Sequence, residues 1–222
     1  MAFRLFNYPQ QAIFGKVLPK SKIYEFAKPS NAVKELFVKQ VEQIVWEYKL
    51  SPETINIPPG EGVEEIQILK IYSKVPEIDA AVFRTIDEAI PSHIFYEVVV
   101  ANKTKLIAAY KRPNEADSSK WVTGTYFESD WVSNTAERTN IPIALNMGGM
   151  YALFLRSLMP VPALNGEALR GHAARLELLN SRNLELQKLK IKLLKEKQFN
   201  RKVEINSQIR LLQQKINELG IN

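Results

Sequence analysis

Between Gly171 and Gly220 the chain carries neither glycine nor proline. Without those breakers, helix is the structure such a run supports. Leu176, Leu179, Leu186, Leu189 and Leu193 mark one stripe along it. Ile205, Ile209, Leu212, Ile216 and Leu219 then step by 4, 3, 4 and 3, the rhythm of a coiled coil. Between the stripes, Lys195 to Lys202 is mostly polar and holds Phe199. As one rod the run would be roughly 70 Å long. As a hairpin it would turn near Gln198–Lys202. A helix this long cannot bury its stripe on a small domain, so it must pair with itself or with a partner.

Charge separates the same segment from the rest. Residues 1–165 carry 18 Lys+Arg against 18 Asp+Glu, whereas residues 166–222 carry 12 Lys+Arg against 6 Glu and no Asp. The whole formal charge of +6 therefore sits in the last quarter. This divides the chain into a domain over residues 1–165 and a basic helical tail over residues 166–222. The charge suits an acidic partner for the tail, either nucleic acid or the acidic helix of another protein, or else a solvated, lysine-rich helix face in which both signs are interspersed. The candidate contacts are Lys188, Lys190, Lys192, Lys195, Lys197, Arg201 and Lys202.

Residues 1–30 are aromatic and interrupted by Pro9, Pro19 and Pro29, with no sustained helical period, and predict one or two short strands. Ser30 can cap a helix over residues 31–48, whose buried face would hold Val33, Leu36, Phe37, Gln40, Val41, Ile44, Val45 and Tyr48. An internal strand is predicted for residues 63–73 and a helix for 77–90, stopped by Pro91. Residues 93–100 and 105–111 predict a hairpin, 121–132 a further strand, and 149–158 a short apolar helix. The expected fold class is α/β, in the α+β sense. It has a mixed sheet with packed helices, followed by a long C-terminal helix or helical hairpin.

The chain contains no cysteine, which excludes disulfides, thiolate metal sites and cysteine nucleophiles. His93 and His172 are its only histidines, and His93 at a strand start suits a structural role. Ser118-Ser119 lies in a polar loop with no glycine-rich elbow around it, so a serine hydrolase is unsupported. No dinucleotide, phosphate-loop or metal-ligand spacing is found. One catalytic arrangement can be assembled: Glu65 and Glu97 holding Mg²⁺ with Gln67 near a phosphate, as in restriction-endonuclease-like nucleases. Against it stands a structural alternative, in which Glu97 pairs across the hairpin with Lys111 on a solvent face. No other cofactor is expected. The apolar runs are too short to span a bilayer, and Met1-Ala2-Phe3-Arg4-Leu5-Phe6 lacks the apolar stretch of a secretory signal. A cytoplasmic location without membrane contact is the expectation.

Several segments together resemble a bacterial family of unknown function. They are Phe14 with Pro19-Lys20-Ser21-Lys22, then Ile44-Val45-Trp46-Glu47-Tyr48-Lys49-Leu50, Glu65-Ile66-Gln67-Ile68 and Ile86-Asp87-Glu88-Ala89-Ile90-Pro91. Ala108-Ala109-Tyr110-Lys111-Arg112, Tyr126-Phe127 with Trp131, and residues 196–204 complete the set. The resemblance covers nearly the whole chain. It implies a setting, because members tend to be encoded beside DEAD/DEAH- or SNF2-type helicases and DNA methyltransferases in restriction-like defence islands. It supplies no catalytic residues. The leading expectation is an accessory, non-catalytic subunit of a helicase–methyltransferase defence or restriction-like system, mediating assembly and DNA contact. The metal-dependent nuclease and a homodimeric coiled-coil scaffold, self-associating through the C-terminal helix, are the alternatives.

Overall fold

The runs richest in β-branched and aromatic residues become the strands of a mixed sheet. The computed structural model describes residues 3–117 and 120–220; the serine pair Ser118-Ser119 and the first two residues lie outside them. The chain divides into two compact units, Met1–Met159 and Pro160–Asn222.

In the first unit the elements follow one another as β1 (Phe6–Asn7), β2 (Ile13–Val17), α1 (Lys20–Ala27), α2 (Asn31–Gln40), β3 (Val41–Leu50) and α3 (Pro52–Ile55). Then come β4 (Ile66–Ser73), α4 (Ala80–Ala89), β5 (His93–Val100), β6 (Lys103–Pro113), β7 (Trp121–Glu128), β8 (Val132–Ser133), β9 (Thr139–Asn140) and α5 (Met147–Arg156). The main sheet runs β2-β3-β4-β5-β6-β7, with β8 pairing on β6, and β1 and β9 form a separate parallel pair. Among the described residues, only β4 and β5 are parallel neighbours within the main sheet. Helix α4 links them, as a parallel step requires a crossover.

The sheet is covered on both faces. On one, Ile44, Leu69, Ile71, Ile94, Tyr96, Val98 and Ile107 pack against Ile23 of α1, Phe37 of α2, and Val82, Phe83 and Ile86 of α4. On the other, Phe95 meets Tyr151 and Phe154 of α5, and Phe6 stacks on Phe154 with ring centroids 4.6 Å apart. Each large apolar side chain buried in these layers contributes about 1.5–3 kcal/mol relative to exposure.

Two sequence expectations are corrected here. The helix predicted over residues 31–48 ends at Gln40, and residues 41–50 are a strand. Strand β3 has register shifts against β4 between Val41 and Gln43 and again between Trp46 and Tyr48. Each extra residue spoils strict alternation. Val41, Ile44 and Trp46 therefore all reach the same core with spacings of three and two, and the step of three from Val41 to Ile44 continues the helical period of α2. The second correction is α1, which lies where no helical period was evident. It follows Pro19 and ends at Lys28 in the left-handed conformation (φ 47°). Lys20 also folds back, its Nζ donating to the Phe37 carbonyl at 3.0 Å and the Val41 carbonyl at 2.5 Å. That ties the start of α1 to the end of α2, beside the burial of Ile23 in the core.

The second unit resolves the rod-or-hairpin alternative as a hairpin. Helices α6 (Leu169–Lys195) and α7 (Phe199–Gly220) are separated at Glu196–Gln198, slightly before the turn expected from sequence. Leu186 of α6 and Ile205, Ile209 and Leu212 of α7 form its buried core, with Leu189, Leu193 and Ile216 packed around them. No helix among the described residues is long and apolar enough to cross a membrane.

Candidate functional site

Strand register decides which candidate residues can act together. Strands β4 and β5 pair Ile66 with His93, Gln67 with Ile94 and Lys70 with Glu97. Alternation then places Gln67 with Leu69 and Ile71 on the face covered by α4, and Glu97 with Lys70 and Phe95 on the face covered by α5. Glu65 precedes β4, five positions from the level of Glu97, or roughly 16 Å along the strands. The structure does not bring Glu65, Gln67 and Glu97 together.

Each of the three has a structural partner instead. Glu65 forms an ion pair with Lys49 at 2.5 Å. The Gln67 amide oxygen accepts the Trp46 indole N–H at 2.7 Å, and its nitrogen donates to Ser92 Oγ at 3.4 Å. Glu97 is fully buried. It accepts two bonds from Arg138, at 2.8 and 3.2 Å, and Arg138 also donates to the Phe6 carbonyl at 2.8 Å. The expected Glu97–Lys111 pair on a solvent face does not form, because β5 and β6 set Glu97 opposite Leu106. Among the described residues, no three His, Asp or Glu side chains converge as a group able to hold a metal ion.

Lys111 points to the other face, under α4, and is 2% exposed. Its Nζ donates to Asp87 Oδ1 at 3.1 Å, to the Asp87 carbonyl at 2.8 Å and to the Ile90 carbonyl at 2.6 Å. These are all three ammonium protons, and the carbonyls belong to the last turn of α4, where a cation is favoured. Tyr126 donates its hydroxyl to the other carboxylate oxygen of Asp87. Burial raises the Asp87 carboxyl above its ordinary value, and the Lys111 charge and the Tyr126 hydrogen bond oppose that rise. Burial lowers the Lys111 ammonium, with Asp87 opposing the fall. Nearby, His93 packs its ring on Tyr151 and Trp121. Burial, aided by the Lys111 charge, pulls it down to about 4, so it is neutral in ordinary buffers. The Asp87–Lys111–Tyr126 group was not anticipated from sequence, since its members lie on three separate elements. The usable signal was a lysine inside an apolar strand, Ala108-Ala109-Tyr110-Lys111.

The tail behaves differently. Lys188, Lys190, Lys192 and Lys195 occupy the last part of α6, Lys197 the break, and Arg201 and Lys202 the first turn of α7. The hairpin thus gathers all seven predicted contact residues at its turn, and all are exposed. Among the described residues, no carboxylate forms an ion pair with any of the seven. Glu196, which lies among them, accepts instead from the backbone N–H groups of Lys197 and Gln198, at 2.8 and 2.9 Å. Those backbone bonds lower its carboxyl.

At the open end the hairpin is clamped by Arg175. Its guanidinium bonds both carboxylate oxygens of Glu167 at 2.9 Å, and the carbonyls of Pro162 and Leu219 at 2.8 Å. The Glu167 carboxyl is thereby held down at about 2. Of the heptad residues, Ile205, Ile209 and Leu212 are buried against α6 and Ile216 packs beside them, while Leu219 supplies the carbonyl to Arg175. The heptad stripe closes on α6 of the same chain, so self-association would have to use another face.

The two units thus present different surfaces: a sheet whose central polar groups satisfy one another, and a hairpin whose turn carries an excess of positive charge over the single carboxylate of Glu196. No curated protein and no solved structure matches the chain. A family model described as "Domain of unknown function (DUF4391)" matches residues 6–216. The chain therefore belongs to the DUF4391 family.

Proposed function

We propose that the protein is an accessory, non-catalytic subunit of a bacterial helicase–methyltransferase defence or restriction-like system, located in the cytoplasm. In this reading the sheet unit is a scaffold and the hairpin mediates assembly, with its cationic turn also able to meet DNA phosphates. The observation that carries it is the gathering of Lys188, Lys190, Lys192, Lys195, Lys197, Arg201 and Lys202 at one end of the hairpin, without carboxylate partners among the described residues. The separation of Glu65 from Glu97 along the strands, and of Gln67 from Glu97 onto opposite sheet faces, supports a non-catalytic role.

The test is a tagged pull-down from the native host with identification by mass spectrometry. It compares the full chain with a variant in which Lys188, Lys195, Arg201 and Lys202 become Gln. Recovery of a helicase or methyltransferase subunit by the full chain is the expected result. Recovery of the protein alone would remove the assembly reading. DNA contact is checked separately, by binding of a duplex oligonucleotide over a salt series. A log–log slope that falls by about one per phosphate-contacting cation removed is expected.

A further inference from the structure

The hairpin core uses one face of α6, yet the helix carries a second apolar row. Leu184, Gln187, Ile191 and Leu194 step by 3, 4 and 3, the spacing of a and d positions in a heptad. On a helix of 3.6 residues per turn, this row lies away from Leu186, Leu189 and Leu193, the residues that pack on α7. Its apolar members are open to solvent: Leu184 is 57% exposed, Ile191 51% and Leu194 86%. Three large aliphatic side chains in register on a solvated helix face form a ridge with nothing on it.

The flanks of the ridge define what would cover it. With Leu184 and Ile191 at a, the e positions are Lys188 and Lys195, and the g positions within the helix are Asn183 and Lys190. In paired helices these flanking positions meet the flanks of the partner, and opposite signs are required. A second copy of this chain would set lysine against lysine. Duplex DNA would satisfy the lysines but leave the aliphatic row facing phosphate and water. An amphipathic helix with leucine-type residues on its seam and glutamates beside them satisfies both features.

We propose that the outer face of α6, centred on Leu184, Ile191 and Leu194, docks an acidic amphipathic helix of a partner protein. The proposal deepens the assembly reading and rests on it, in that the docked helix belongs to the helicase or methyltransferase subunit. Gln187, the one polar residue in the row, fixes the register of that helix.

The probe is a synthetic peptide about four heptads long, long enough to be helical when docked, with Leu at a and d and Glu at e and g. Binding to the full-length protein is followed by calorimetry. The control peptide carries Lys at e and g. Saturable binding of the acidic peptide, absence of binding by the basic one, and a loss of ~10-fold or more in the Ile191→Gln/Leu194→Gln variant are the expected results. Both substituted positions are solvent-exposed, and an unchanged circular dichroism spectrum shows that the variant is folded. Equal binding by variant and parent would overturn the proposal, as would no binding of the acidic peptide. So would a concentration-dependent dimer in light scattering that the same variant abolishes, since the occupant would then be a second copy. Peptide binding with an empty pull-down would leave the ridge standing and remove the assembly reading; the reverse pattern would do the opposite.

Discussion

Lys111 and Asp87 meet twice: the ammonium lies 3.1 Å from the carboxylate and 2.8 Å from the backbone carbonyl of the same aspartate. One side chain from β6 thus neutralises a buried acid and closes the last turn of α4. Removing the lysine leaves the acid uncompensated in a nearly dry site. Lys111→Met is expected to cost about 3–5 kcal/mol in urea denaturation. Lys111→Met with Asp87→Asn should recover part of that loss, since the stranded charge is then gone. A single substitution costing under about 1 kcal/mol would show that the pair holds little of the fold.

Glu97 and Glu65 separate by burial. Glu97→Ala leaves the partly exposed Arg138 guanidinium with the Phe6 carbonyl but without its carboxylate, and a stability loss of about 2–3 kcal/mol is expected by thermal or urea melting. Glu65 pairs with Lys49 at a partly exposed position, so Glu65→Ala should stay within about 1 kcal/mol. A nuclease assay with Mg²⁺ is therefore interpretable through Glu65→Ala, whereas loss of signal in Glu97→Ala would report unfolding as readily as chemistry.

Two glycines make opposite predictions. A Cβ on Gly148, in the first turn of α5, would stand 2.6 Å from the Gly60 carbonyl oxygen and 2.6 Å from Glu61 Cβ. Backbone would have to move, and Gly148→Ala should destabilise by about 1–3 kcal/mol. A Cβ on Gly171, in α6, meets only Glu167 Cγ at 3.7 Å. Gly171→Ala should raise stability by up to about 1 kcal/mol, the helix-propensity difference. Thermal melting of both variants decides.

The Glu167–Arg175 clamp carries a pH signature. The folded protein holds the Glu167 carboxyl at about 2, below its ordinary value of 4.5. The folded state is therefore favoured while this group is ionised. Its contribution is complete above the unfolded value and is lost as pH falls from about 4.5 toward 2. The pair lies near the surface and solvent screens it, so the contribution is expected to be about 1 kcal/mol or less. The stability difference between wild type and Glu167→Gln, measured by melting, should shrink across that interval and be flat from pH 5 to 7. A difference that persists at pH 2 would place the stabilisation elsewhere.

Much of this architecture was legible in the sequence. Strands β4, β5 and β6 and helices α4 and α5 fall within a few residues of where patterning placed them, because their apolar periods are regular and prolines stop them. Patterning failed at β3, where two inserted residues imitate helical spacing, and at α1, where over eight residues Ile23 alone is fully buried and Lys20 adds its hold on α2. The tail was legible as helix but not as a hairpin, since both geometries share one heptad pattern and the clamp at Arg175 joins residues far apart in the chain. The polar groups were least legible. Glu97 and Lys111 each find a partner, Arg138 and Asp87, from an element other than the neighbouring strand, and no local spacing announces such a contact.

The irregularity at Glu47 has a consequence for insertions and deletions. Trp46 and Tyr48 flank it and serve opposite layers: Trp46 packs into the core under the helices, and Tyr48 sits against Tyr8 with ring centroids 4.7 Å apart. Glu47 is the phase shift that makes this assignment possible, while its carboxylate holds Lys70 at 2.8 Å. Deleting it would leave Trp46 and Tyr48 as neighbours, which ordinary alternation sends to opposite faces, so Tyr48, Lys49 and Leu50 would keep Ile68, Gln67 and Ile66 opposite them and the contact to Lys70 would be what is lost. A strand that carries a bulge can therefore lose its extra residue without changing the layer that any neighbouring side chain serves.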